Sequence, residues 1–147
     1  MPISRDIYPV ISTPLQPDQS LDMVSFEACL SRYLKTNIAG VPLLGSGGEL
    51  PYFSDNEQYQ LKKAAHKVIA ANEEFVANKD IIVGVNAYSS AQAIDKISQY
   101  AGYCDAILLL LSHYYPVSFN QYYQSIRAIA HASTTTILFY YFRKSLR

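Results

Sequence analysis

The chain has 147 residues, of which 50% are hydrophobic and 16% are charged, so it contains enough apolar material for one globular core of ordinary size. Twelve basic residues balance twelve acidic residues, which argues against a broad surface for nucleic acid or for an anionic membrane. The longest apolar run, residues 106–111, is far too short to span a bilayer. We therefore expect a small-molecule ligand and neither a nucleic-acid nor a membrane partner.

The cysteines and the first residues indicate a cellular compartment. Cys29 and Cys104 are the only cysteines and lie far apart, so a disulfide framework is not expected. Residues 1–8 include Arg5 and Asp6 and contain no long apolar stretch, so we expect neither a signal peptide nor a membrane anchor. These features predict a protein of a reducing compartment, the cytoplasm.

Short apolar runs alternate with helix-like stretches along the chain. We predict five strands, over residues 7–12, 41–44, 81–85, 106–111 and 137–141. Four helices between them are indicated by apolar residues at helical spacing, namely Phe26, Leu30, Tyr33 and Leu34, then Leu61, Ala65, Val68 and Ile69, then Ile94, Ile97 and Ala101, and then Phe119, Tyr122, Tyr123, Ile126 and Ile129. Ser54 and Glu57 form a predicted capping box before the second helix. Residues 70–79 are expected to be a loosened helix end or an insertion.

This alternation predicts an α/β fold. Units of roughly 30 residues suit right-handed βαβ crossovers, and such units build either an open doubly wound sheet or a segment of a β/α barrel. The pattern alone does not choose between these two architectures. No low-complexity linker divides the chain, so we predict one continuous domain over residues 1–147.

A glycine-rich loop, residues 45–49, follows the second predicted strand, where α/β folds carry their ligand-binding loops. Glycines let backbone N–H groups converge on an anion, and the Ser46 hydroxyl could hold a carboxylate or relay a proton. The loop lacks the Lys-Ser/Thr of a P-loop and does not match a dinucleotide fingerprint. A flexible turn is the simpler explanation of this loop by itself, and Glu49 is more simply a structural residue than a catalyst.

Aromatic residues follow the last two predicted strands. Tyr114 and Tyr115 lie just past the fourth strand and Tyr140 lies near the end of the fifth, so their phenols could approach the same edge as Ser46. Most of the 13 tyrosines are explained by packing, and position alone singles out these three. His113 is a further candidate base that we leave unassigned. No residue spacing resembles a metal site, so neither a metal nor another cofactor is expected.

Five motifs occur in order along the chain: Thr13-Pro14, Leu21-Asp22, Gly45-Ser46-Gly47-Gly48-Glu49, Tyr114-Tyr115 and Tyr140. This order resembles the dihydrodipicolinate synthase/N-acetylneuraminate lyase family. Members of that family are β/α barrels that bind pyruvate or a related 2-oxo acid as a Schiff base and make or break a carbon–carbon bond. The resemblance covers the amino-terminal half of such a barrel. It therefore implies a partial (β/α)8 barrel of about five strands and four helices.

The resemblance also implies roles for individual residues. Ser46 would contact the carboxylate of the oxo acid, Tyr140 would relay protons, and Tyr115 would be contributed across a subunit interface, with Tyr114 as the nearby alternative. Family loops usually carry Thr or Asn at the position of Gly47, so the backbone N–H of Gly47 would replace a side-chain contact.

The end of the sequence departs from the family pattern. The family's Tyr-Asn-x-Pro after strand five is replaced here by Tyr140-Tyr141-Phe142-Arg143. The Schiff-base lysine of the family lies on strand six, and Lys144 follows Tyr140 too closely to take that place. The resemblance therefore implies a fragment of a class I aldolase or lyase that is inactive alone.

Several alternatives stay open. The Gly-Ser-x-Gly-Glu loop looks like the 4-hydroxy-2-oxoglutarate aldolase and sugar-acid aldolase branches, beside dihydrodipicolinate-synthase-like chemistry. A second hypothesis is a non-catalytic assembly module that pairs with a full-length barrel subunit, and a third is a phosphate-binding open α/β domain. Because a cut barrel exposes strand edges, we expect a homo-oligomer or pairing with a related barrel subunit, and no stable active monomer.

Overall fold

The computed structural model describes residue 3 and residues 6–100, 102–113 and 115–140. Within these residues there are four strands and five α-helices: α1 (Met23–Leu34), β1 (Gly40–Leu43), α2 (Asp55–Ala70), α3 (Glu73–Val76), β2 (Asp80–Ala87), α4 (Ser90–Ser98), β3 (Ala106–Leu111), α5 (Phe119–Ala132) and β4 (Thr136–Phe139). Two single 3-10 turns, Ser46–Gly48 and Leu50–Tyr52, lie in the connection between β1 and α2. Over the described ranges, no helix combines the length and the apolar character that a membrane span requires.

The four strands form one parallel sheet whose spatial order, β1-β2-β3-β4, is also the order along the chain. Each strand is therefore added beside the previous one in the same direction. Right-handed crossovers then place the connecting helices on the same face of the sheet, as in a β/α barrel, whereas a doubly wound sheet reverses its order and carries helices on both faces. The structure thus selects the barrel-type arrangement.

The hydrophobic core fills the space between the sheet and its helices in two clusters. The first cluster joins α1 and α2 to β1, and the second joins α4 and α5 to β2 and β3. Leu30, Leu61, Ile107 and Leu109 are almost completely buried there, and burial of each such side chain stabilises the fold by about 1.5–3 kcal/mol. Leu108 of β3 points to the face of the sheet away from the helices, and its side chain is only half-buried.

Side-chain caps begin the longer helices. The predicted capping box of α2 is confirmed: the Ser54 hydroxyl accepts the N–H of Glu57 at 3.3 Å, and the Glu57 carboxylate accepts the N–H of Ser54 at 2.8 Å. The Ser54 hydroxyl and then its N–H stabilise the carboxylate, which lowers the pKa of Glu57. Ser118 and Gln121 form the same arrangement at α5, which the sequence analysis missed.

The predicted element count is corrected at both ends of the sheet. Residues 7–12, the first predicted strand, are not a strand in the structure. Pro9 has no N–H to donate, and the segment joins the sheet region through one bond, from the Ala39 N–H to the Ile7 carbonyl at 3.1 Å. The structure has one helix more than predicted, α3, which lies within residues 70–79, the expected loosened helix end or insertion. Tyr141, the predicted end of the last strand, lies outside the described residues.

Candidate functional site

The carboxyl ends of the four strands lie at one edge of the sheet, and the loop after β1 folds across this edge. Leu44 begins the loop with a φ of 55°, in the left-handed region. A Cβ placed on Gly84 of β2 would overlap the Leu44 carbonyl oxygen and lie 2.5 Å from its carbonyl carbon. A glycine at position 84 therefore allows the loop backbone to approach the sheet.

The glycine-rich loop uses much of its own backbone for internal hydrogen bonds. The N–H groups of Gly48 and Leu50 donate to the Gly45 carbonyl at 3.0 and 3.4 Å, and the N–H of Glu49 donates to the Ser46 carbonyl at 3.1 Å. These three donors are directed into the loop and do not converge on a ligand. The arrangement disfavours the phosphate-cradle hypothesis, which needs several free N–H groups pointing at one anion.

The amino-terminal segment holds the loop from its other side. The Thr13 hydroxyl, in a residue only 8% exposed, donates to the Gly48 carbonyl at 2.8 Å. A Cβ on Gly48 would lie 3.0 Å from the Ile11 carbonyl oxygen, and a Cβ on Gly47 would overlap Cγ1 of Val10. Val10 therefore occupies the space into which a larger side chain at position 47 would extend.

The structure brings two predicted site residues together. Ser46 and Tyr140 line one cavity of about 20 Å³ at the carboxyl edge of the sheet, with Leu108 and Leu110 beneath it. This volume is room for about one water molecule. The N–H of Tyr140 donates to the Leu109 carbonyl at 2.9 Å, which continues the β3-β4 hydrogen bonding past the last strand residue. Tyr140 is thus positioned by the sheet itself, while Ser46 is exposed on the loop with Gly47 beside it.

Tyr115, another predicted residue, does not line this cavity and is 73% exposed. Tyr114 lies outside the described residues, as does Lys144, which was not expected to be the Schiff-base lysine. The ring of His113 packs edge-on against Tyr122 of α5, with centroids 5.6 Å apart, so it belongs to the helix side of the sheet. Among the described residues, no lysine lines the cavity that Ser46 and Tyr140 share.

Two polar residues at the same edge were missed by the sequence analysis. Asn86 near the end of β2 and Ser112 just after β3 are half-buried, and the Ser112 hydroxyl donates to the Asn86 side-chain oxygen at 3.3 Å. The available signal was the strand alternation, which places Asn86 on the same face as Gly84. The part of the chain that the structure describes contains no group of three or more His, Cys, Asp or Glu residues arranged to hold a metal ion.

We compared the chain with known protein families. Residues 4–144 match the Dihydrodipicolinate synthetase family. The chain belongs to this family. It is 31% identical over 131 residues to a 4-hydroxy-tetrahydrodipicolinate synthase of Desulforamulus reducens, covering 87% of this chain and 42% of the relative. A synthase of the same name from Streptococcus pneumoniae is 27% identical over 129 residues, covering 87% of this chain and 40% of the relative.

Solved structures of dihydrodipicolinate synthetase relatives share the fold. A putative dihydrodipicolinate synthase family protein from Coccidioides immitis superposes with a TM-score of 0.80 at 21% identity, covering 96% of this chain and 45% of that chain. N-acetylneuraminate lyase from Mycoplasma synoviae gives a TM-score of 0.76 at 20% identity, covering 95% and 47%. The chain therefore spans less than half the length of these relatives.

Proposed function

We propose that this chain supplies the carboxylate-binding and proton-relaying part of a lyase or aldolase site for pyruvate-type 2-oxo acids. The observation that carries the proposal is the single cavity lined by both Ser46 and Tyr140 at the carboxyl edge of the sheet. In this site the Ser46 hydroxyl and the Gly47 N–H donate hydrogen bonds to the carboxylate. Tyr140 holds its hydroxyl beside the reacting carbonyl.

The chemistry then needs an amine. A lysine nitrogen attacks the carbonyl carbon of the oxo acid, and the carbonyl oxygen leaves as water after it takes up two protons. Tyr140 delivers and recovers protons in these steps, and Tyr115, which is largely exposed, assists in a neighbouring subunit. Because no described lysine lines the cavity, we propose that the amine comes from outside the described residues. Since the family resemblance implies a lysine on a sixth strand and not at position 144, we also propose that the 147-residue polypeptide alone forms no imine.

Binding and imine formation are tested separately. Pyruvate is titrated into the 147-residue chain and followed by NMR, and we expect Ser46→Ala to weaken binding about fivefold or more because a donor to a charged group is lost. Ser98→Ala is the matched control, since Ser98 is exposed on α4 and its hydroxyl donates to the Asp95 carbonyl at 2.7 Å. Equal binding by both variants would contradict the assignment of Ser46.

Imine formation is tested by reduction with borohydride in the presence of pyruvate, read by intact mass. We expect no covalent adduct on the isolated chain. An adduct would show that the chain contains its own nucleophile and would overturn this part of the proposal. With a complete barrel, Tyr140→Phe is expected to retain pyruvate binding and to slow turnover by about 100-fold or more, the usual contribution of a proton-transfer group.

The substrate within this class is a narrower question. We propose cleavage of 4-hydroxy-2-oxoglutarate, cleavage of a sugar acid, or a synthase reaction of the kind named for the relatives, 4-hydroxy-tetrahydrodipicolinate synthase. Cleavage and condensation assays on a complete barrel that carries this loop would distinguish the three. The two cysteines are free thiols, which supports a cytoplasmic location for this chemistry.

A second candidate function is a non-catalytic assembly module that pairs with a related barrel subunit or with its own copies. It is favoured by the described edge strand β4, where Ile137, Leu138 and Phe139 are only half-buried. An unpaired edge beside an apolar face favours association. We expect light scattering to find dimers or larger species, and Leu138→Lys to reduce them, whereas Gln124→Lys on the exposed side of α5 leaves them unchanged. A monodisperse monomer of the parent chain at high concentration would contradict this function.

A further inference from the structure

A large cleft opens on the helix side of the sheet, on the opposite face from Ser46 and Tyr140. Its volume is about 650 Å³, within the range of small-molecule sites. The cleft lies between α2 and residues 99–100 and 102–103, which follow α4, and its floor includes Leu43, Ile81 and Val83.

The packing of the helices explains why the cleft exists. α1 packs along α2, and α4 packs along α5, but α2 and α4 have few direct contacts. The two hydrophobic clusters of the core meet at this gap. An exposed ion pair, Lys96 Nζ to Asp55 Oδ1 at 3.3 Å, joins α2 to α4. The space between the helices is therefore an apolar opening into the protein and not a tightly packed helix interface.

The walls of the cleft carry positive charge and aromatic rings. Lys62 Nζ lies 3.6 Å from the centroid of the Tyr100 ring, and His66 packs edge-on against Tyr103 with ring centroids 5.3 Å apart. Lys63 also lines the cleft, and the described residues that line it include no Asp or Glu. The cleft thus combines an apolar floor with cationic walls, which is complementary to an apolar molecule with a negative group.

Among the described residues, Lys62 forms no ion pair with a carboxylate. The ion pairs of the described residues join Lys67 to Glu27 and Lys96 to Asp55, and neither includes Lys62. Partial burial, followed by the positive charge of Lys96, lowers the pKa of Lys62, with Asp55 opposing. A partly desolvated ammonium is stabilised by an anion that enters the same low-dielectric space.

We propose that this cleft binds an apolar molecule with one carboxylate, such as a medium-chain fatty acid. Its chain lies on Leu43, Ile81 and Val83, and its carboxylate lies at the Lys62 ammonium. A carboxylate fits better than a phosphate group because none of the described residues that line the cleft is an arginine, and bidentate arginine contacts are the stronger way to hold a phosphate.

The test is calorimetry with decanoate and with 1-decanol, which has the same chain length and no charge, on the 147-residue protein. We expect decanoate to bind at least about tenfold more tightly than decanol, because only the acid supplies the missing counter-charge. Shifts of the Leu43 and Val83 methyl signals in NMR would locate the ligand. Equal binding of the two compounds, or no binding of decanoate at millimolar concentration, would overturn the proposal.

Two variants on α2 distinguish a specific contact of Lys62 with the ligand from the effect of removing any positive charge. Lys62→Met keeps the length of the side chain and removes its charge, and we expect it to weaken decanoate binding about tenfold while leaving decanol binding unchanged. Lys67→Met is the control, since Lys67 lies on α2, pairs with Glu27 and does not line the cleft. An equal loss in both variants would contradict the role of Lys62. The comparison of acid and alcohol on the parent protein decides the matter even if a variant misfolds.

Discussion

Gly84→Ala is the substitution that tests most directly how the glycine-rich loop is positioned. Gly84 lies within β2 and pairs with Leu108 of β3. A Cβ there would overlap the Leu44 carbonyl oxygen and lie 2.5 Å from the Leu44 carbonyl carbon and 3.2 Å from the Gly45 nitrogen. All three atoms are backbone, so no side-chain rotation relieves the overlap. The loop itself has to move.

The expected loss follows from three contributions. Overpacking that shifts backbone costs about 1–3 kcal/mol. Leu44 already has a left-handed φ of 55°, which limits the directions in which it moves. A shifted loop also loses the hydrogen bond from Thr13 to Gly48, worth about 1 kcal/mol. The lower unfolded-state entropy of alanine offsets about 0.4–1 kcal/mol of this. We expect the free energy of unfolding to fall by about 2 kcal/mol.

The assay is urea unfolding followed by circular dichroism, at one protein concentration because association changes apparent stability. Gly45→Ala is the matched control: its φ is −78°, and a Cβ there would meet only Leu108 Cδ2, at 3.8 Å. We expect this control to lie within about 0.5 kcal/mol of the parent. The reasoning is refuted if Gly84→Ala is as stable as the parent, or if the two alanine variants lose the same free energy.

Four further outcomes are expected. Ser54→Ala should lower the unfolding free energy by about 1 kcal/mol in the same urea assay, because the α2 cap is lost, and no loss would contradict the cap. Burial, followed by the charge of Asp105, raises the pKa of Cys104 to about 11. Alkylation of Cys104 at pH 8 should therefore be roughly 100-fold slower than alkylation of an ordinary thiol, and a normal rate would refute this. Since the unfolded thiol ionises first, Cys104 should also make stability fall between pH 9 and 11, as urea unfolding against pH would show. Gly47→Thr should cost about 1 kcal/mol by clashing with Val10, and Val10→Ala in the same chain should recover most of that loss; simple additivity would show that the two positions do not interact.

Local sequence signals account for much of the fold. The runs at 81–85 and 106–111 lie within β2 and β3, and Ser54 begins α2, because strand alternation and helix capping depend on residues close together in the chain. Residues 7–12 were predicted as a strand from the same kind of signal, and that prediction was wrong. An apolar run becomes a strand only when its backbone finds partners, and here one carbonyl does so while Pro9 has no N–H to offer.

The sequence predicted some residues of the candidate site, and only the tertiary structure showed the others. Their positions after predicted strands and the order of motifs pointed to Ser46 and Tyr140, but their common cavity depends on the β3-β4 pairing that brings Tyr140 beside the loop. Asn86 and Ser112 carry no motif and became visible only when two parallel strands placed them side by side.

The sequence by itself determined the alternation of strands and helices, the main helix starts and the family to which the order of motifs belongs. The tertiary structure alone decided that the sheet is singly wound, that the Leu44 backbone lies against Gly84, and that α2 and α4 leave an apolar cleft with Lys62 at its wall. The physical reason is the range of the interactions. Secondary structure and caps are set within a few residues, whereas a cavity, a close backbone approach or a partly buried ammonium at the wall of a cleft exists only between groups that are distant in sequence and are brought together by packing.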